Sequence, residues 1–114
     1  MGKTEIPPGT LHMLVLRTLD QLGPTHGYGI AEHIERMSAS VLAVEEGSLY
    51  PALQRMLIKG WVRAEWGFSE NNRRARFYRL TAAGRRQLAD EISDFQRVME
   101  AITRVIQPAI LPQT

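Results

Sequence analysis

Apolar residues at Leu11, Leu14, Val15, Leu19 and Leu22 recur at three- and four-residue intervals, which predicts a helix over residues 10–22. Pro7 and Pro8 precede it, and Gly23-Pro24 supplies a left-handed cap followed by a breaker. A second stripe, Tyr28, Ile30, Ala31 and Ile34, predicts a helix from Gly27 to Met37, with Gly27 and Gly29 permitting close backbone approach at its start. After a loop, Ser48 in Glu46-Gly47-Ser48-Leu49-Tyr50-Pro51 reads as an N-cap. That places Pro51 in the first turn, where its absent amide has no intrahelical partner to lose. Leu49, Leu53, Met56 and Leu57 line one face as far as Lys59, and Gly60 ends the helix.

The pattern then shifts to short β-branched and aromatic runs. Residues 62–66 and 76–80 read as two strands flanking a polar tip, residues 67–75. Such a tip is longer than an ordinary hairpin loop and holds no apolar anchor after Phe68. Thr81 reads as the N-cap of a last helix running to about Gln107 and stopped by Pro108. Its apolar residues Leu88, Ile92, Phe95, Met99, Ile102 and Ile106 are spaced 4-3-4-3-4, a heptad seam. At about 40 Å such a helix outruns the rest of the domain, so its seam calls for a second copy of the chain.

Length and composition bound the function. The 114 residues suffice for one small domain, or one domain with a dimerisation element. Cysteine is absent, which removes disulfides, thiolate metal sites and cysteine nucleophiles. No apolar run approaches the roughly 20 residues of a membrane span, and the first six residues contain no signal-peptide core, so a cytoplasmic protein is expected. The net charge of +2 conceals strong segregation. Residues 1–54 carry −3, residues 55–86 carry +7 and residues 87–114 carry −2. Twelve of the fourteen cations are arginine, the side chain that pairs bidentately with phosphate and with guanine edges.

Three helices, a hairpin and a basic tip are the order of a winged helix-turn-helix, in which the third helix enters the DNA major groove and the wing reaches an adjacent groove or the backbone. Ser48, Leu49 and Tyr50 would then sit at the start of the recognition helix, where amides and the helix dipole favour phosphate. Arg55 and Lys59, one turn apart, would continue the contact. Arg73, Arg74 and Arg76, with Asn72 beside them, are the wing candidates, and Tyr28 completes the set. Trp61 and Trp66 read as core packing between hairpin and helices. His26 and His33, with Glu32 alongside, could bind a metal but read as surface histidines, and His12 has no partner identifiable in sequence. No nucleophile motif, phosphate-cradling glycine loop or carboxylate pair is present, so neither an enzyme nor a cofactor is expected.

The segments Gly27-Tyr28-Gly29-Ile30, Gly47-Ser48-Leu49-Tyr50-Pro51-Ala52-Leu53, Lys59-Gly60-Trp61-Val62, Asn72-Arg73-Arg74-Ala75-Arg76-Phe77-Tyr78 and Leu80-Thr81-Ala82-Ala83-Gly84-Arg85 together resemble the PadR family of transcriptional regulators. The order and spacing cover about residues 9–107, and the single last helix resembles the short subgroup. The resemblance implies a bacterial dimeric winged-helix repressor whose C-terminal helix pairs with its counterpart. It implies that Tyr50 and the wing arginines contact operator DNA. It further implies a small-molecule effector that relieves repression, phenolic acids and hydrophobic cationic drugs being known across the family, although no effector carries over to this chain.

The expectation is therefore an α+β, mainly α fold: a winged helix-turn-helix DNA-binding domain over residues 1–80, a dimerisation helix over 81–107 and a tail over 108–114. Its partners are double-stranded operator DNA, a second copy and a small-molecule effector, with no membrane. Two other readings are a winged-helix protein-interaction module and a metal-responsive regulator.

Overall fold

Thr10 starts α1 (Leu11–Leu22): its hydroxyl donates to the Pro7 carbonyl at 2.8 Å, and its own carbonyl accepts the Leu14 amide at 3.1 Å. Met13, Val15, Leu16, Thr18 and Leu19 form the buried side. The Thr18 hydroxyl donates to the Leu14 carbonyl at 2.8 Å, so the core there strands no polar group. Leu22, predicted on the apolar face, is exposed, because the helix leaves the core in its last turn. The computed structural model describes residues 3–7 and 9–107. Pro8, Pro108 and the predicted tail over 108–114 lie outside the described residues.

A two-residue strand β2 (Thr25–His26) leads into α2 (Gly27–Met37), which has the predicted bounds. Ile30 and Ile34 face the core with His33, whereas Tyr28 points away from the stripe that the sequence assigned to it. The histidines are not free surface groups. His26 caps α2, its Nδ1 accepting the Gly29 amide at 3.0 Å, and buried His33 lies 3.3 Å from Gln21 Oε1 and from Arg36.

The chain then turns through Ser38, Ala39 and Ser40, and β3 (Leu42–Ala43) pairs in parallel with β1 (Thr4–Glu5). α3 spans Glu46–Ile58 and buries Leu49, Ala52, Leu53 and Met56. It begins three residues before the predicted start. Glu45 is the N-cap, so Ser48 lies inside the first turn and makes no capping bond. Pro51 consequently sits in the second turn, where its ring removes a bond to the Gly47 carbonyl. Both residues are exposed, so water can serve that carbonyl.

β4 (Val62–Phe68) and β5 (Arg74–Leu80) form the antiparallel hairpin, and β2 joins its β5 edge, giving the order β2-β5-β4. Both strands run two residues beyond their predicted ends, since Gly67 pairs with Ala75 and Phe68 with Arg74. Val62 and Tyr78 close the core beneath the helices.

The hairpin is tied to α4 (Ala82–Ile106) at one knot. The Trp61 carbonyl accepts the Thr81 amide at 3.1 Å, and the Thr81 hydroxyl is shared between the carbonyls of Gly60, at 2.7 Å, and Trp61, at 3.0 Å. The Thr81 hydroxyl oxygen in turn accepts the Gly84 amide at 3.0 Å, the predicted N-cap. A Cβ on Gly84 would lie 2.0 Å from the Trp61 carbonyl oxygen, a separation no side chain can occupy. Past this knot Leu88 is 4% exposed and Ile92 packs partly on the core, while Phe95, Met99, Ile102 and Ile106 project into solvent. Leu88 therefore belongs to the chain's own core rather than to an available seam.

The knot predicts that Gly84→Ala lowers the thermal unfolding midpoint, by an overpacking cost of at least about 1–3 kcal/mol. A midpoint unchanged from wild type would contradict it. His12, on α1 beside the end of α3 and the root of α4, yields a second prediction. Burial first, then Arg55 and Lys59, push its imidazole below the ordinary value, against an opposing pull from Glu91. The folded state thus favours the neutral ring, while the unfolded chain protonates near about pH 6.5. Stability should fall as pH drops below that point, and His12→Gln should flatten this part of the pH–stability curve.

Candidate nucleic-acid interface

The buried side of α3 determines its open side. At about 100° per residue, a core face of Leu49, Ala52, Leu53 and Met56 turns Gly47, Pro51, Gln54 and Ile58 directly outward. All four are exposed, Ile58 to 79%. Tyr50 flanks this stripe on one side, and Ser48, Arg55 and Lys59 flank it on the other. Leu49, proposed from sequence as a DNA contact, is 1% exposed and is a core residue. Nor is the start of α3 a phosphate cradle. The Ser48 and Leu49 amides both donate to the Glu45 carbonyl, at 3.0 and 2.9 Å, and the exposed carboxylates of Glu45 and Glu46 repel anions. Gln54 carries no charge and so adds nothing to the charge segregation in the sequence, yet it stands in the middle of this outward stripe.

Tyr50 is held against α2. A Cβ added to Gly27 would sit 2.6 Å from the Tyr50 hydroxyl oxygen and 2.9 Å from two ring carbons, so the ring occupies the space that glycine leaves. The next residue, Tyr28, is 71% exposed. Its ring stacks on His26 at 6.4 Å between centroids, and His26 meets Phe77 of β5 edge-on at 5.3 Å. One line of rings thus connects the start of α2 to the wing.

On the wing, the pleat alternation explains the exposed face. Val62 and Ala64 share a side with Tyr78 and Leu80 over the core; the same side continues past the core as Trp66, Phe68, Arg74 and Arg76. Trp66 is 60% exposed rather than packed between hairpin and helices, because the strand has already cleared the helices where it emerges. The Arg74 guanidinium lies over its ring at 4.3 Å, and Arg76 stands opposite it in register. The turn is five residues long, closed by the Ser69 amide on the Arg73 carbonyl at 2.8 Å, with Asn72 at φ +57°. Arg79 pairs with Glu65 at 3.0 Å and Arg85 with Asp20 at 3.6 Å. Among the described residues Arg73, Arg74 and Arg76 make no ion pair.

Tyr28, Arg73 and Arg74 come together around an open cleft of about 860 Å³ between α2 and the wing, with Arg36, Phe68 and Phe77 and the acids Glu32 and Glu70. Arg55 and Lys59 do not join them. They line a separate groove of about 630 Å³ at the far end of α3, with His12 and Trp61 beside them and Asp90, Glu91 and Asp94 of α4 opposite. Lys59 Nζ lies 5.3 Å over the Trp61 ring. Among the described residues no three His, Asp or Glu side chains cluster as a metal site would require, and no helix is long and apolar enough to cross a membrane.

The profile of the transcriptional regulator PadR-like family matches residues 15–90. An uncharacterised protein of Lysinibacillus sphaericus is 26% identical over 102 residues, covering 90% of this chain and 93% of that protein. A transcriptional regulator from Clostridium thermocellum superposes with a TM-score of 0.79 at 22% identity, covering 87% of this chain and 92% of its own. Bacillus subtilis PadR, solved in complex with operator DNA, superposes with a TM-score of 0.63 at 20% identity over 73% of this chain and 47% of its own. The likeness in fold thus extends through the helices and the hairpin.

Gly27→Ala should displace the Tyr50 ring and leave the fold standing, because the obstructing atoms are the end of a side chain and not backbone. Ring proton chemical shifts of Tyr50 should move, and the thermal midpoint should fall less than in Gly84→Ala. Equal losses of stability would show Tyr50 to be structurally indispensable.

Proposed function

The chain belongs to the PadR-like family of transcriptional regulators, and on that premise we propose that it is a homodimeric repressor that binds a specific operator and is released from it by a small molecule. The observation that carries the reading is the wing: three exposed arginines with no acidic partner among the described residues, beside the exposed Tyr28. Cations held in the open at a cost in mutual repulsion are suited to phosphate, which neutralises them and releases counterions. Tyr28 and Tyr50 then meet the backbone between the groove read by α3 and the groove reached by the wing. Arg55 and Lys59, which face the acids of α4, are secondary in this reading.

The dimer rests on α4. Phe95, Met99, Ile102 and Ile106 form one apolar line, each at least 39% exposed, on a helix whose root alone is packed. A second copy burying the same line in antiparallel or parallel array removes that surface from water. It also fixes two α3 helices at one separation, which a two-fold operator must match at about one helical turn, roughly 34 Å. An effector changes operator affinity only by its preference between dimer geometries that meet this spacing and those that do not.

DNA affinity should fall steeply with salt. Arg73→Ala with Arg74→Ala should weaken binding to every sequence and lower the slope of log K against log salt by about 2. A slope unchanged in that variant would remove the wing from the contact. Ile102→Asp should yield monomers in sedimentation; a persisting dimer would place the interface elsewhere.

A further inference from the structure

The outward stripe of α3 is chemically unlike the rest of the basic surface. Gly47, Pro51, Gln54 and Ile58 follow one another at intervals of four, three and four residues, all exposed and none charged. Ile58 shows 79% of its surface to solvent although the helix has a well-formed core on its other side. The Gln54 amide makes no hydrogen bond among the described residues and is flanked by no acid on this stripe. Gly47 contributes no side chain and Pro51 a short one, so nothing on this stripe holds the helix away from a surface it approaches.

We propose that this stripe reads A·T base pairs in the major groove, with Gln54 as the residue that determines specificity. A glutamine amide presents one donor and one acceptor, the pair that adenine N7 and N6 complement. The apolar faces of Pro51 and Ile58 fit the thymine methyl group on the partner strand. The charged side chains that flank the stripe, Arg55 and Lys59, bind phosphate without reading sequence. The inference rests on the DNA-binding reading above and adds to it which bases are read and by what.

The test uses the full chain and a pool of random-sequence duplexes, with enrichment compared between wild type, Gln54→Ala and Gln54→Arg. The substituted side chain is exposed, so all three fold alike, which circular dichroism verifies. Wild type should enrich an A·T pair at one fixed position in each half-site, with a discrimination of roughly 5- to 150-fold at that position. Gln54→Ala should lose that preference and keep the others, and Gln54→Arg should shift it towards G·C. The same base preference in all three proteins would overturn the assignment while leaving DNA binding intact. A wild-type protein that retains no duplex even at low salt would overturn the assignment together with the DNA-binding reading beneath it.

Discussion

Between the Trp61 carbonyl oxygen and the Gly84 backbone there is no room for a carbon atom. Through that contact, and through the Thr81 hydroxyl beside it, the end of α3, the root of the wing and the start of α4 share a single junction. The hairpin cannot tilt without moving Trp61, and α4 cannot rotate without driving Gly84 into backbone. Val62, Tyr78 and Leu88 then seal the core immediately next to the junction. The orientation of the hairpin and that of a long projecting helix are thus set by a few atoms of polar backbone. Apolar packing alone, which tolerates small slides, would hold them less firmly.

Electrostatics divides the molecule along the same lines. Acids collect on α1, α2, the start of α3 and the root of α4, where several of them pair with cations: Asp20 with Arg17 and Arg85, Glu35 with Lys3. The exposed pairs contribute little stability each. These pairs occupy some of the cations that lie away from the wing tip. Arg73, Arg74 and Arg76, which make no ion pair among the described residues, are gathered on one projecting ribbon. Stacking of Arg74 on Trp66 restricts the guanidinium before any partner arrives, which lowers the entropy that ordering it would otherwise cost.

The elements that bury one clear face were legible from sequence. Residues 27–37 and the Thr81 cap stand where the residues place them, since an apolar stripe or a serine-like cap is local chemistry. The departures occur where local chemistry offers two answers. Ser48 is a good cap, yet the Glu45 carbonyl captures the amides of Ser48 and Leu49 and begins the helix earlier; that shift puts Ser48 inside the first turn and Pro51 in the second, while Gln54 faces outward because Leu49, Ala52, Leu53 and Met56 face the core. The wing strands run on because Gly67–Ala75 and Phe68–Arg74 pair through backbone, which leaves no hydrophobic alternation to read once the strands pass beyond the core. Trp66 and His33 exchange expectations for one reason: exposure depends on where an element ends relative to its neighbours, not on residue type.

The projecting helix has one consequence in the language of levers. α4 is 25 residues long, so at 1.5 Å per residue a tilt of about 5° at its root carries its far end through roughly 3 Å. The amplification also runs backwards. In the proposed dimer, two copies gripping each other near Ile102 and Ile106 would hold each root with a long moment arm, and a small slip in their grip would become a rotation of the head it carries. In such a dimer, a change too slight to alter any contact at the proposed reading surface would still put two heads out of step with a DNA turn.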